Sequence, residues 1–204
     1  MKTPNKLLMA DARKALSGKW GVAVGAGFIA FLVTTIAQII PLINLIAPIL
    51  IAGPMTLGLA IFFLALARGK EVKIAQVFSG FDRFGTAVGA YLLSILFIIL
   101  WSLLLIIPGI IAAFAYSQMY FLLADNPHMG PMEAIDKSKA IMRGNKWKLF
   151  CLGLRFIGWA LLSILTLGIG FLWFVPYIST ASAKFYEDVK NGATLAAEPA
   201  PATA

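Results

Sequence analysis

Long apolar runs separated by short polar segments form the main pattern of this chain. A helix that crosses about 30 Å of hydrocarbon at 1.5 Å per residue needs roughly 20 apolar residues. Six runs approach that length, although the last three are short for a full crossing. The pattern therefore predicts an all-α, polytopic membrane protein with six transmembrane helices. They are expected at residues 20–39, 49–67, 86–105, 110–124, 149–165 and 169–183.

The charged residues gather in four segments outside these runs, and Arg155 is the single exception among all Lys, Arg, Asp and Glu. The four segments are residues 1–19, 68–83, 125–148 and 184–204. The other connectors, 40–48, 106–109 and 166–168, carry no charge. Because Lys and Arg are retained on the cytoplasmic side during insertion, the four segments and both termini are expected inside. The helices then form three hairpins that turn outside.

Composition agrees with a membrane protein and excludes several other classes. The chain is 60% hydrophobic and 13% charged, with a mean hydropathy of +0.88, which excludes a soluble globule, a disordered chain and collagen. Its one cysteine, Cys151, cannot form an intramolecular disulfide and leaves too few soft ligands for a zinc or iron-sulfur site. The net charge of +8 is spread over four membrane-proximal segments without a nucleic-acid motif, so no nucleic-acid partner is expected.

The two ends of the chain have different patterns. Residues 1–19 are too long and too charged for a signal peptide, and the positions after Pro4 predict a short amphipathic helix lying on the membrane. Residues 191–204 are rich in Ala, Pro and Thr and are expected to be disordered. Residues 1–190 are then a single membrane domain.

An internal repeat accompanies the predicted hairpins. The eight residues from Lys19 to Ala26 match those from Arg83 to Ala90 at an offset of 64, and Lys146-Trp147 keeps only the basic-aromatic pair, at a further offset of 63. Repeat units near 5–67, 70–124 and 131–187 follow, each an amphipathic segment and a hairpin. Because the units share orientation, they should be related about an axis along the membrane normal. The alternative is a chance match.

Glycine and aromatic residues recur at equivalent positions of the repeat. Small-xxx-small spacing predicts close helix packing, either within the chain or in a dimer interface, at Gly21, Gly25, Gly85 and Gly89. The aromatic residue of each basic-aromatic pair is expected to anchor its helix at the interface. These anchors are Trp20, Phe84 and Trp147.

Arg155 is the candidate functional residue, because a charge inside a membrane helix marks a function by default. It would contact an anion or a lipid headgroup. The competing interpretation is structural, since Arg155 lies about 12 Å along the helix from Trp147 and its side chain can reach back to the headgroups.

No catalytic or cofactor site is evident in the sequence. His128, with Glu133 and Asp136 nearby, permits a metal site, but a turn at Asn126-Pro127 and an i,i+4 pair of Glu133 with Lys137 account for the same residues and are favoured. Phosphate-binding loops and the GxSxG and HExxH motifs are missing. We therefore expect no enzyme, no metal and no cofactor.

Several stretches resemble the bacterial integral-membrane family called domain of unknown function 975, over most of residues 10–190. They are 78–81, 100–110, 116–127, 133–144, 156–159, 167–170 and 176–177. The resemblance implies a bacterial cytoplasmic-membrane protein with several helices, and it brings no established activity or catalytic residue. The family usually has a small polar residue where Arg155 stands, which counts against a family-wide role for Arg155.

Two functional hypotheses remain. The favoured one is a non-enzymatic membrane protein that interacts with membrane lipids, with a protein partner or with further copies of itself. The alternative is a small transporter or channel, since three parallel hairpins with interfacial helices resemble the architecture of mitochondrial carriers. Those carriers gate with a Pro-x-acid-x-x-basic motif that the odd-numbered helices here lack.

Overall fold

A computed structural model describes residues 3–39 and 47–197, and in these ranges the chain is helical, without a strand. The all-α prediction is confirmed for this part of the chain. The α-helices, in chain order, are α1 (Asn5–Leu16), α2 (Trp20–Ile39), α3 (Ala47–Ala67), α4 (Phe84–Leu104), α5 (Ile106–Tyr116), α6 (Met119–Asp125), α7 (Pro131–Ile141), α8 (Lys146–Leu165) and α9 (Phe171–Ala197). A 3-10 helix, Ile74–Arg83, precedes α4.

Five helical stretches in the described residues are long and apolar enough to cross a membrane, where the sequence predicted six. They are Trp20–Gln38, Ile49–Ala67, Ile74–Leu104, Ile106–Asp125 and Lys146–Leu165. The sixth predicted span, 169–183, falls within α9, which is not among the five. The hydropathy of α9 is lowered by Ser and Thr in its middle and by charged residues from Lys184 onward.

The fourth stretch is a broken helix, which the continuous apolar run did not predict. α5 ends at Tyr116 and α6 begins at Met119. In the break, the Gln118 backbone N–H donates to Ser138 Oγ at 3.3 Å, and Ser138 Oγ donates to the Ala115 carbonyl at 2.7 Å. A buried serine of α7 therefore satisfies the backbone groups that the break leaves unpaired.

Basic side chains link the two ends of each predicted hairpin at one end of the molecule, which we call the charged end. Lys19 Nζ donates to the Lys70 carbonyl at 2.8 Å, next to the end of α3. Arg83 Nη1 donates to the Pro127 carbonyl at 3.1 Å, just after α6. Lys148 in α8 pairs with Asp188 in α9. The two helical arms of each hairpin are therefore antiparallel.

The amphipathic segments pack on neighbouring helices. The 3-10 helix contacts α2 and α3, α7 contacts α4 and α6, and α1 contacts α8 and α9. The first helix of the chain thus lies against the last two.

The closest helix contacts involve glycines that the repeat did not single out. A Cβ at Gly58 of α3 would lie 1.8 Å from the Val77 carbonyl oxygen, and one at Gly80 would lie 1.9 Å from the Pro54 carbonyl oxygen. Real Cβ atoms do not approach oxygen so closely, so the 3-10 helix can lie against α3 only because both positions are glycine.

The buried core lies toward the charged end. Its largest fully buried side chains include Phe62 and Phe63 of α3 and Phe185 and Tyr186 of α9. Apolar side chains near the opposite end are exposed, with Leu167 at 95%. An exposed apolar surface of this extent is typical of a protein that meets lipid.

The end of α9 overlaps the predicted carboxyl-terminal tail. α9 continues to Ala197, so it includes residues 191–197 of that tail. Alanine and leucine in this stretch are strong helix formers. The remainder of the predicted tail, 198–204, and residues 40–46 of the first predicted outward connector lie outside the described residues.

Candidate functional site: a basic cleft beside an aromatic groove

The amino-terminal helix α1 is held against the last hairpin. Its apolar residues Leu8, Ala12 and Leu16 are buried. The helix begins after Pro4, whose carbonyl accepts the first helical hydrogen bonds. Because the apolar positions recur at a spacing of four, they lie on one face, and the basic residues of α1 are left on the exposed surface.

Three hydrogen bonds fix α1 in position. The Thr3 backbone N–H donates to Asp188 Oδ1 at 2.8 Å, and Asn5 Nδ2 donates to the Lys148 carbonyl at 2.9 Å. Tyr177 of α9 donates its hydroxyl to the Met9 carbonyl at 3.3 Å. The basic side chains of α1 are therefore presented by a helix that is tied to α8 and α9.

A cleft of about 440 Å³ lies between α1, α8 and α9, and three basic side chains line it. We call it the basic cleft. Its lining residues are Lys6, Met9, Ala10, Arg13, Arg155 and Tyr177. The structure thus brings Arg155 together with two basic residues of α1 that are more than 140 positions away in the sequence.

The three basic groups have no anionic partner in the described part of the chain. No carboxylate lines the cleft, and none of the ion pairs found involves Lys6, Arg13 or Arg155. The Arg13 guanidinium lies 5.7 Å from the centre of the Tyr177 ring, which offers only a weak cation-π contact. The cleft is an uncompensated patch of positive charge.

A second cavity, of about 400 Å³, continues from the basic cleft along α8 and α9. We call it the aromatic groove. It shares Arg13 and Tyr177 with the basic cleft and is otherwise mostly apolar. Its lining residues are Arg13, Trp20, Trp159, Leu162, Ser163, Thr166, Gly170, Trp173, Phe174 and Tyr177. The groove reaches Thr166 and Gly170, which lie at the opposite end of the hairpin from Lys148.

Some basic groups elsewhere at the charged end are paired. Arg68 contacts Asp125 at 2.7 Å and Glu187 at 2.7 Å, and Lys190 also pairs with Asp125. Tyr186 donates its hydroxyl to Asp125 at 3.1 Å. We call these five residues the ion-pair cluster. It joins the charged ends of α3, α6 and α9, one helix from each hairpin.

The electrostatics of the charged end follow from these contacts. The hydrogen bond with Asp125 raises the pKa of the Arg68 guanidinium, burial opposes the rise, and Glu187 adds to it. Burial by itself would raise the pKa of the Asp188 carboxyl. The hydrogen bonds from Lys148 and Thr3 outweigh burial and hold that pKa below its usual value.

A third cavity, of about 660 Å³, opens between α2, α3 and α9 toward the uncharged end. We call it the apolar cleft. Its lining includes Gly27, Phe31, Met55 and Val175, and its hydroxyl groups are those of Thr34 and Thr56. Both hydroxyls donate to carbonyls of their own helices. The apolar cleft therefore offers a polar ligand no free hydroxyl donor.

The predicted anchors and glycines occupy different environments. Trp20 is half-buried in the aromatic groove, whereas Phe84 and Trp147 are exposed. A Cβ at Gly25 would meet Ile74 of the 3-10 helix at 3.2 Å, and one at Gly89 would meet Pro131 of α7 at 3.2 Å. The other two glycines, Gly21 and Gly85, have nothing within 4 Å of an added Cβ.

The structure also describes the other residues that the sequence analysis considered as candidates. Glu133 and Lys137 form the expected i,i+4 ion pair at 2.8 Å. His128 follows α6 and is exposed, and in the described residues no group of three His, Cys, Asp or Glu side chains is arranged to hold a metal. Cys151 is half-buried in α8.

Comparison with known proteins gives a family without an activity. The model of the family described as protein of unknown function (DUF975) matches residues 1–111 and 103–193. The resemblance seen in the sequence is thereby confirmed. No curated protein and no solved structure matches the chain. The matched residues include all those that line the basic cleft and the aromatic groove.

Proposed function

The chain belongs to the family of proteins of unknown function DUF975, and on that premise we propose that it is a non-enzymatic integral membrane protein that interacts with membrane lipids. The proposal includes six crossings, three hairpin repeats and a place in the bacterial cytoplasmic membrane with both termini inside. Each part is supported by a different feature of the molecule.

The sixth crossing is supported by the pairing of α9 with α8. At one end of the pair, the Gly170 backbone N–H donates to Thr166 Oγ1 at 2.9 Å. At the other end, Asp188 pairs with Lys148. The 18 residues from Gly170 to Asp188 span about 27 Å of helix, close to the thickness of the hydrocarbon core. We propose that α9 crosses beside α8 even though its hydropathy is low, because it also packs against α1, α2 and α3.

The three-repeat arrangement is supported by two features that recur in every unit. A basic residue near the start of each hairpin closes it, namely Lys19, Arg83 and Lys148. The amphipathic segments pack on neighbouring helices, and α1 lies against α8 and α9. Both features fit units related by rotation about one axis along the membrane normal.

The orientation is supported by the distribution of charge. All but one of the 17 Lys and Arg residues lie in the four segments outside the predicted spans. By the positive-inside rule we propose that the charged end is cytoplasmic.

The lipid interaction is carried by one observation, which is the convergence of Lys6, Arg13 and Arg155 on a cleft that continues into an apolar groove. Lipid molecules combine a polar headgroup with hydrocarbon, and a cleft of this kind matches both parts. Native mass spectrometry of the protein, released from mild detergent, should find phospholipid bound. Release of a lipid-free chain, or of a complex with a stoichiometric protein subunit and no lipid, would contradict the proposal.

The second candidate function, a small transporter, is favoured by a different observation. The apolar cleft separates α2 and α3 from α9 toward the uncharged end, while the ion-pair cluster joins the hairpins at the charged end. Since its lining is almost wholly apolar, any substrate would be lipophilic. The purified protein in vesicles would then speed the movement of a fluorescent phospholipid between leaflets. A rate equal to that of protein-free vesicles rejects lipid transport.

A further inference from the structure

We propose that the basic cleft and the aromatic groove form one site for a single anionic phospholipid. Its phosphate group lies among Lys6, Arg13 and Arg155, and one acyl chain follows the groove along α8 and α9. This inference rests on the proposed function, and it adds the ligand class, the position and the number of bound molecules.

The first step in the argument is the unbalanced charge of the cleft. The ion-pair cluster contains two basic groups and two carboxylates, so it is neutral. The basic cleft contains three basic groups and no carboxylate. An anion that lies among these like charges is attracted by all three of them. Arginine also offers paired N–H groups in the geometry that phosphate oxygens accept, so a phosphate group is the favoured anion.

The second step is that the site is already formed. α1 is fixed by the hydrogen bonds of Thr3, Asn5 and Tyr177 to neighbouring elements, and its apolar face is buried. Two of the three basic groups therefore belong to a helix held in place before a ligand arrives. Less ordering of the chain on binding leaves more of the interaction energy for affinity.

The third step distinguishes a lipid from a free phosphate ion. A lipid phosphate group and a free phosphate ion would both bind in the basic cleft, but only a lipid fills the aromatic groove that adjoins it. The 11 residues from Arg155 to Thr166 span about 16 Å along α8, close to half of a hydrocarbon core about 30 Å thick. Trp159, Trp173 and Phe174 line this distance with apolar surface. A groove of this length can hold one acyl chain.

The fourth step is that the repeat has only one such site. At the offsets of 64 and 63 between units, the positions equivalent to Arg155 are Phe28 and Leu92. Both are exposed apolar residues. The cationic cleft therefore belongs to the junction of the third hairpin with α1, and one lipid per chain is expected.

Native mass spectrometry of the delipidated full-length protein tests the inference through three separate titrations. The probes are phosphatidylglycerol, phosphatidylcholine with the same acyl chains, and inorganic phosphate. We expect one tight phosphatidylglycerol adduct per chain, and about tenfold weaker binding of phosphatidylcholine, which carries no net charge. Inorganic phosphate should bind more weakly than phosphatidylglycerol because it leaves the groove empty.

Matched variants locate the site. Arg155→Leu should weaken phosphatidylglycerol binding about tenfold. The same change at Arg143, an exposed residue after α7 that lines neither cavity, should leave binding unchanged. Trp173→Ala should weaken lipid binding but not phosphate binding. Lys6→Gln tests the cleft on an exposed residue of α1, in case Arg155→Leu does not fold.

Several outcomes would overturn the inference while leaving the proposed function intact. One is a wild-type protein that binds phosphatidylglycerol and phosphatidylcholine equally well. Another is an equal loss of phosphatidylglycerol binding in Arg155→Leu and Arg143→Leu. Phosphate binding as tight as lipid binding would indicate an ion site, and an acidic protein segment occupying the cleft in place of lipid would also contradict it. Failure of the wild-type protein to retain any lipid would instead reject the proposed function.

Discussion

Replacement of Asp125 by asparagine tests how strongly the ion-pair cluster holds the ends of α3, α6 and α9 together. In the native protein the Asp125 carboxylate accepts hydrogen bonds from Arg68 at 2.7 Å and from Tyr186 at 3.1 Å, and it also pairs with Lys190. Asp125→Asn is nearly isosteric but removes the negative charge. The cluster would then hold two basic groups and only one carboxylate, Glu187.

The expected loss follows from the exposure of each pair. The side chain of Asp125 is 11% exposed and that of Arg68 is 28% exposed, so their bond is partly shielded from water. A hydrogen bond to a charged group in such a position contributes about 1.5–3 kcal/mol. Lys190 is 41% exposed, so its pair with Asp125 adds only about 0.5 kcal/mol. We expect Asp125→Asn to lower the free energy of unfolding by about 2–3.5 kcal/mol.

The assay is unfolding of the purified protein by sodium dodecyl sulfate in mixed micelles, followed by circular dichroism. Glu133→Gln is the control, because it removes an ion pair with Lys137 that is exposed on both sides, and no measurable change is expected. A double-mutant cycle with Arg68→Gln should give a coupling energy of about 1–2 kcal/mol. If Asp125→Asn and the control are equally stable, the cluster does not hold these helix ends together and this reasoning is wrong.

Two further predictions address packing and pH. Gly80→Ala should unfold at a lower detergent fraction than the wild type, because its Cβ would lie 1.9 Å from a carbonyl oxygen of α3. Gly85→Ala, with open space around the added Cβ, should be as stable as the wild type or more so. Equal stability of the two variants would contradict the close contact. The depressed pKa of Asp188 adds stability that is fully present above the unfolded pKa of about 4 and is lost as the pH falls through the folded pKa. The wild type should therefore lose stability below about pH 4, and Asp188→Asn should lose less. Identical pH profiles of the two proteins would show that the bond to Lys148 contributes nothing.

The helices were predictable from sequence because the bilayer imposes one strong constraint on the backbone. A chain in hydrocarbon must satisfy its own N–H and C=O groups, so each long apolar run becomes a helix. The helices α2, α3, α4 and α8 begin or end within a few residues of the predicted bounds. The apolar signal is weak in α9. The sequence pattern predicted a crossing at 169–183, whereas α9 is not among the five stretches that are apolar enough to cross.

The break between α5 and α6 could not be read from its own residues. The run is continuously apolar, and the break is satisfied by Ser138, a residue of α7 some 20 positions later. The same holds for the close contact of Gly58 with Gly80, since spacing in one helix does not say which face meets a neighbour. Both features depend on tertiary packing.

The candidate site was half predictable. A lone charge in an apolar run identified Arg155, and the amphipathic pattern placed basic residues on the exposed face of α1. Their convergence depends on the packing of α1, the first helix of the chain, against α8 and α9. The local sequence of α8 or of α1 does not predict the contact between α1 and the last two helices.

The central claim, six crossings with both termini inside, is tested most directly by cysteine labelling in intact cells. In a background without the native thiol (Cys151→Ser), single changes Leu167→Cys, Gly192→Cys and His128→Cys are made at exposed positions. A membrane-impermeant maleimide should label the first without permeabilisation and the other two only after it. Labelling of positions 167 and 192 from the same side would show that α9 does not cross, and labelling of position 128 from outside would show that the orientation is reversed.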